Sequence, residues 1–126
     1  MSGKPNRQTI LIVDDEAIVQ NFMRIIFHAM GYRVIIAMDG RQAGHLFTCY
    51  APELAMIIVE IALPKASGAT FVEGLPSLAP RIPVLFTTSV GRYEGPDVAM
   101  RRFPVLKKPF RADALRGAVK TLFEQM

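Results

Sequence analysis

Thr9–Glu16 reads TILIVDDE, five β-branched or apolar residues that run without a break into three carboxylates. A continuous run of this kind is how a strand buried on both faces reads, because a parallel sheet covered by helices on each side needs no polar alternation. The abrupt acidic end marks the carboxyl edge of that strand. From Ala17 the apolar residues Ile18, Phe22, Ile25, Ile26 and Ala29 recur at helical spacing, and Gly31 stands where a C-terminal cap belongs. The first unit is therefore strand, acidic loop, helix.

The unit repeats along the chain. YRVIIAM at Tyr32–Met38 reads as a second strand, and Gly40 leads into a helix from Arg41 to about Tyr50, with Ala43, Leu46 and Phe47 on one face and Pro52 closing it. LAMIIVEIA from Leu54 is a third strand, GATFVEGL from Gly68 a short helix limited by Pro76, and IPVLFTT a fourth strand starting at Pro83. FPVLK from Phe103 is the fifth, followed by a helix from about Arg111 to Phe123 that carries Leu115, Val119 and Leu122. Such alternation predicts the α/β class: a five-stranded parallel sheet, doubly wound, with right-handed crossovers. Between Ser89 and Arg102 the chain carries Gly91, Gly95 and Pro96, all poor in a helix interior, so the fourth helix is expected to be shortened or irregular, with a short turn of helix from Asp97.

A chain of 126 residues fits one compact domain, with residues 1–7 a polar, disordered leader and residues 8–126 the fold. Apolar residues make up 51% and charged residues 21%, which excludes the disordered class. No apolar run approaches the roughly 18 residues of a membrane span, and MSGKPNRQT is no secretory signal, so a cytoplasmic protein without membrane contact is expected. Cys49 is the single cysteine, which leaves no disulfide or zinc site and suggests a small buried hydrophobe. The seven methionines, Met56 among them, read as core filler; His28 and His45 read as helix-surface or packing residues. The net charge of +4 raises nucleic acid as a partner, yet the one dense basic group, Arg101, Arg102, Lys107 and Lys108, has no interleaved aromatics and reads as a solvated face.

In a doubly wound sheet the ligand site lies at the carboxyl ends of the strands. Asp14, Asp15 and Glu16 follow the first strand, Glu60 stands at the end of the third in MIIVEIALP, Thr87, Thr88 and Ser89 end the fourth, and Lys107 and Lys108 the fifth. Crowded carboxylates repel unless a cation sits among them or some are protonated. A magnesium ion, with its preference for oxygen ligands, is one such cation, and the ammonium of Lys108 is another.

ILIVDDE, the Glu of IIVEIALP followed by Gly68, PVLFTTS and LKKPF resemble, in order and spacing, the response-regulator receiver domain of two-component signalling, over essentially residues 8–126. The resemblance implies that Asp14 and Asp15 form the acidic pocket, with Asp15 the direct magnesium ligand and Asp14 a further candidate. It implies that Thr88 and Lys108 form the phosphate site, and that Ala62 offers its backbone carbonyl to the metal. Pro64 and Gly68 match the family's loop after the third strand. The position of the phosphoacceptor aspartate falls on Glu60, which would also be a metal ligand.

Glutamate is one methylene longer than aspartate, which displaces its carboxylate by about the length of a carbon–carbon bond in a chemistry that tolerates well under ~1 Å of misplacement. The same extension carries it toward Lys108 and Thr88, where it imitates the phosphorylated state with about −1 charge in place of nearly −2. The family's rotating aromatic on the fifth strand is here Val105. The expected function is that of a stand-alone, atypical receiver: no enzyme, a protein-interaction module without conventional aspartyl phosphorylation, monomeric or weakly dimeric. Its expected partner is a histidine kinase or a downstream signalling protein, and magnesium is expected to bind weakly. The competing readings are a phosphorylation-competent relay receiver, a purely structural Glu60 neutralised by Lys108, and, last, a nucleic-acid binder.

Overall fold

The computed structural model describes residues 8–60, 82–89 and 104–124. Within them the chain runs β1 (Thr9–Val13), α1 (Ala17–Ala29), β2 (Arg33–Ala37), α2 (Gly40–Tyr50), a 3-10 turn (Ala51–Glu53), β3 (Leu54–Glu60), β4 (Val84–Ser89), β5 (Val105–Lys108) and α3 (Ala112–Glu124). The five strands form one sheet in the order β2-β1-β3-β4-β5, with every pairing parallel. The expected α/β doubly wound architecture is what the chain adopts. The leader, Ala62, Pro64, the helix expected at Gly68–Leu75 and the irregular fourth helix lie outside the described residues.

Strand alternation splits the core in two. Leu11, Val13, Ile57, Val59, Val84 and Phe86 pack on one face against Ala43 and Phe47 of α2. On the other face Ile10, Ile12, Met56, Ile58 and Leu85 pack against Met23, Ile26 and Phe27 of α1 and Leu115, Val119 and Leu122 of α3. The uninterrupted apolar runs of β1 and β3 are thus explained by burial on both sides; all five residues of β1 and all seven of β3 are buried. Rings tie the second layer together, with Phe22 and Phe110 at 6.0 Å and Tyr32 stacked on Phe123 at 6.2 Å.

The helix ends follow local chemistry. Asp39 caps α2 by accepting from the Gln42 N–H at 2.9 Å, and Gln42 Oε1 reaches back to accept from the Met38 N–H at 2.6 Å. At the end of α1 the Gly31 N–H donates to His28 O and the Tyr32 N–H to Phe27 O, a Schellman motif. Gly31 there takes φ +93°, which a side-chain-bearing residue enters only with strain. The Phe27 and Tyr32 rings meet edge to face across the motif, 6.4 Å apart.

Several sequence expectations need correction. Ile18 and Ile25 are 84% and 70% exposed, and α1 turns Met23, Ile26 and Phe27 to the core. The helix carries two apolar stripes, and the one with i, i+3, i+4 spacing abuts Ile10 and Ile12. Cys49 is exposed, since it lies about 200° around α2 from the buried Phe47. Met23 and Met56 are core filler, whereas Met30 and Met38, just beyond α1 and β2, are exposed. Lys108 is buried, ending β5, and so leaves the basic face to which its charge had assigned it.

Candidate functional site

The carboxyl ends of β1, β3 and β5 meet at one lysine. In the register Val13 lies opposite Val59, which sets Asp14, one residue beyond β1, beside Glu60, the last residue of β3. Asp14, Glu60 and Lys108 follow the parity of Ile12, Ile58 and Leu106, so all three fall on the sheet face covered by α1 and α3. Lys108 Nζ donates to Asp14 Oδ2 at 2.8 Å and to Glu16 Oε1 at 2.7 Å. It also forms an ion pair with Glu60 Oε1 at 2.5 Å. An ammonium carries three protons, and here three carboxylate oxygens lie within 2.8 Å of it.

The loop after β1 is held for this arrangement by its own backbone. The Asp14 N–H donates to Ala37 O at 3.1 Å, Asp14 Oδ1 accepts from the Glu16 N–H at 2.8 Å, and Gln20 Nε2 donates to Asp14 O at 2.6 Å. Glu16 occupies the N-cap position of α1 but makes no side-chain cap bond; its carboxylate goes to Lys108 instead. The three partners differ in exposure: the side chains of Asp14 and Glu60 are 1% and 5% accessible, that of Glu16 55%.

Burial pushes the Asp14 carboxyl above its ordinary range, more than the Lys108 and Glu16 N–H hydrogen bonds pull it back, and the charge of Glu60 adds to the rise. For Lys108, burial works against the charged form, but the hydrogen bonds to Asp14, Glu16 and Glu60 outweigh it and raise the ammonium above the usual lysine range. One cation therefore faces three carboxylates, a local formal excess of negative charge.

Of the residues singled out in the sequence, the structure gathers Asp14, Glu60 and Lys108. Asp15 is exposed and stands apart from the carboxylate group, which is Asp14, Glu16 and Glu60, with one oxygen of each within 4.8 Å of the others. Thr88 is buried in register with Lys107 and shares the parity of Phe86 and Val105, on the α2 side of the sheet. Thr87 lies opposite Glu60 in the ladder, and its buried Oγ1 has no hydrogen-bond partner among the described residues. Glu16, which the sequence places at the same strand end, is the contact to which sequence reading gave no role. The signal was its place in the acidic end of TILIVDDE, but which of three adjacent acids turns inward depends on how the loop leaves the strand.

The oxygen-rich donor set suits a hard divalent cation such as magnesium. Lys108 already neutralises part of it, so an ion would enter in competition with an ammonium. Beside the site, Glu16, Ile18, Val19, Phe22, Lys108, Pro109 and Phe110 line a cleft of about 500 Å³. No helix among the described residues is long and apolar enough to cross a membrane.

A family model for the response regulator receiver domain matches residues 10–120. Regulatory protein AtoC of Escherichia coli K12 is 32% identical over 113 residues, 88% of this chain and 24% of that protein. Response regulator MprA of Mycolicibacterium vanbaalenii is 29% identical over 120 residues, 92% of this chain and 50% of that protein. The chain thus spans half or less of these curated relatives. Among solved structures, a receiver domain protein from Clostridium thermocellum superposes with a TM-score of 0.79 at 23% identity, covering 93% of this chain and 94% of that one. NtrX from Brucella abortus gives 0.81 at 26% identity, covering 93% of this chain and 27% of that one.

Proposed function

This chain belongs to the response regulator receiver domain family, and on that premise we propose that it is an atypical receiver, acting as a protein-interaction module in two-component signalling without conventional aspartyl phosphorylation. Glu60 holds the acceptor position. The observation that carries the reading is the Glu60–Lys108 ion pair: the carboxylate that would have to attack phosphorus is already engaged by the lysine that would have to stabilise the phosphoryl group. The extra methylene of Glu60 brings charge forward to the place a phosphoryl group would fill, which favours one standing conformation over a switch.

Asp14, Glu16 and Glu60, the carboxylates that lie together, with the Ala62 carbonyl as a further ligand, would hold magnesium, weakly because Lys108 competes; Asp15, the direct ligand that the resemblance implied, stands outside that set. The resemblance makes Thr88 the hydroxyl of the phosphate site, although its strand parity sets it on the α2 side of the sheet, away from Asp14, Glu60 and Lys108. The partner is a histidine kinase or a downstream signalling protein, and Val105 in place of a swinging aromatic fits an output face that does not change with phosphorylation. Incubation with a small phosphodonor and magnesium, followed by intact-mass measurement, tests the proposal. The expected spectrum is that of unmodified protein; a stable phosphoryl adduct that disappears in Glu60→Gln would instead establish a phosphorylation-competent relay receiver.

A further inference from the structure

We infer that Glu16 is an autoinhibitory gate on Lys108: the exposed carboxylate occupies the one lysine donor direction that an incoming tetrahedral oxyanion could otherwise take. Three carboxylate oxygens crowd Lys108 Nζ at 2.5 to 2.8 Å: Asp14 and Glu16 each take one of its protons in a hydrogen bond, and Glu60 Oε1 closes the third side as an ion pair. Any anion that is to be bound by Lys108 must first displace one of them. Asp14 and Glu60 are poor candidates to leave, being 1% and 4% exposed and fixed at strand ends; Asp14 is further pinned by the Glu16 N–H and by Gln20. Glu16 is 55% exposed in its side chain, makes no cap bond to α1 and borders the cleft with Ile18, Val19 and Phe22. Release therefore leaves its carboxylate in solvent at little cost, with the cleft beside it as room to move.

The gate has a second component, charge. With Glu16 in place the cluster holds three carboxylates against one ammonium, and a phosphate approaching it is repelled. Removing Glu16 both frees a donor and lowers that repulsion, whereas removing the charge of Asp15, which is exposed and outside the cluster, lowers repulsion alone. The two neighbours thus separate a gating role from a mere change in field. The inference deepens the proposed reading by naming what regulates the site, but it concerns anion binding and needs no phosphoryl transfer.

The test is titration of the full chain with orthophosphate in the absence of divalent ions, followed by amide chemical shifts, for the parent, Glu16→Gln, Glu16→Ala and Asp15→Asn. Glu16→Ala, which removes both the acceptor and the charge, is expected to bind orthophosphate about fivefold more tightly than the parent; Glu16→Gln, which keeps a neutral acceptor for Lys108, is expected to gain less, and Asp15→Asn less than about twofold. Lys108→Met in the Glu16→Ala background is expected to remove the gain. Equal gains for Glu16→Ala and Asp15→Asn would overturn the gate, as would a gain that survives loss of Lys108. The phosphoryl adduct experiment can fail or succeed independently of either outcome.

Discussion

Glu60 Oε1 and Lys108 Nζ meet at 2.5 Å across the carboxyl ends of β3 and β5, two strands that are separated in the sheet by β4. The contact joins residues 48 positions apart in sequence and links three strand ends through the additional Asp14 bond. Its strength is not that of an isolated pair. Both side chains are taken out of water, so what the pair contributes is best seen by removing one partner, which leaves the other buried and uncompensated.

Lys108→Met should therefore destabilise the protein by about 3–5 kcal/mol at neutral pH, because Asp14 and Glu60 would remain buried together without a cation. Millimolar magnesium should restore part of the loss in the variant and do little for the parent, since the metal would then take the place of the ammonium. Urea unfolding with and without magnesium measures both effects. A variant as stable as the parent, or one indifferent to magnesium, would count against the lysine as counter-ion of the site.

The pH dependence has two signs to keep apart. Lys108 is raised above its ordinary value in the folded state, so its contribution is fully present below about pH 10.4 and is lost as pH rises through its higher folded value. Asp14 is also raised, mainly by burial. The stability linked to it is present below about pH 3.9 and is lost as pH rises through the elevated folded value, so an ionised Asp14 costs stability at neutral pH. Asp14→Asn, which keeps the Oδ1 acceptor for the Glu16 N–H, should melt higher than the parent at pH 7. The difference should shrink toward acid, where the parent's own Asp14 is protonated, and thermal melts from pH 3 to 8 will show whether it does.

Three glycines separate strain from propensity. Gly31 at φ +93° closes the Schellman motif, and Gly31→Ala should cost about 1–2 kcal/mol although a Cβ there would meet nothing within 4 Å. Gly44 and Gly117 lie inside α2 and α3 with equally open space, and there alanine should stabilise by about 0.5–1 kcal/mol each. Chemical denaturation of the single variants checks the opposite signs.

Much of the fold is legible from period alone. TILIV and LAMIIVE read as doubly covered strands through their short length, β-branched content and turn-bounded ends, and Leu115, Val119 and Leu122 are the stripe that α3 buries. Of the apolar residues expected on α1, Ile26 is buried and Phe22 packs at the edge of the same layer, while Ile18 and Ile25 face solvent and Met23 and Phe27 take the core; helical spacing alone does not say which side of so apolar a helix meets the sheet. The site was legible to the level of strand ends, which brought Asp14, Glu60 and Lys108 together in expectation. Glu16 was not, because a cap-position side chain can bond its own helix or swing away, and only the burial of Lys108 beside it decides.

The methylene of Glu60 can be tested directly. Glu60→Asp withdraws the carboxylate by about one carbon–carbon bond length, which weakens its hold on Lys108 and returns it toward the geometry from which an acyl phosphate forms in line. With a small phosphodonor and magnesium this variant should gain a single phosphoryl adduct by intact mass, and Glu60→Asn should gain none. Adding Glu16→Ala to Glu60→Asp should increase the adduct further, since a freed Lys108 donor can then meet the transferring oxygens. Partner binding need not follow the adduct, because β5 still carries Val105 where the family couples an aromatic to Thr88. A folded Glu60→Asp protein that stays unmodified would mean that the side-chain length is not what bars transfer, and would shift the cause to the three-carboxylate grip on Lys108.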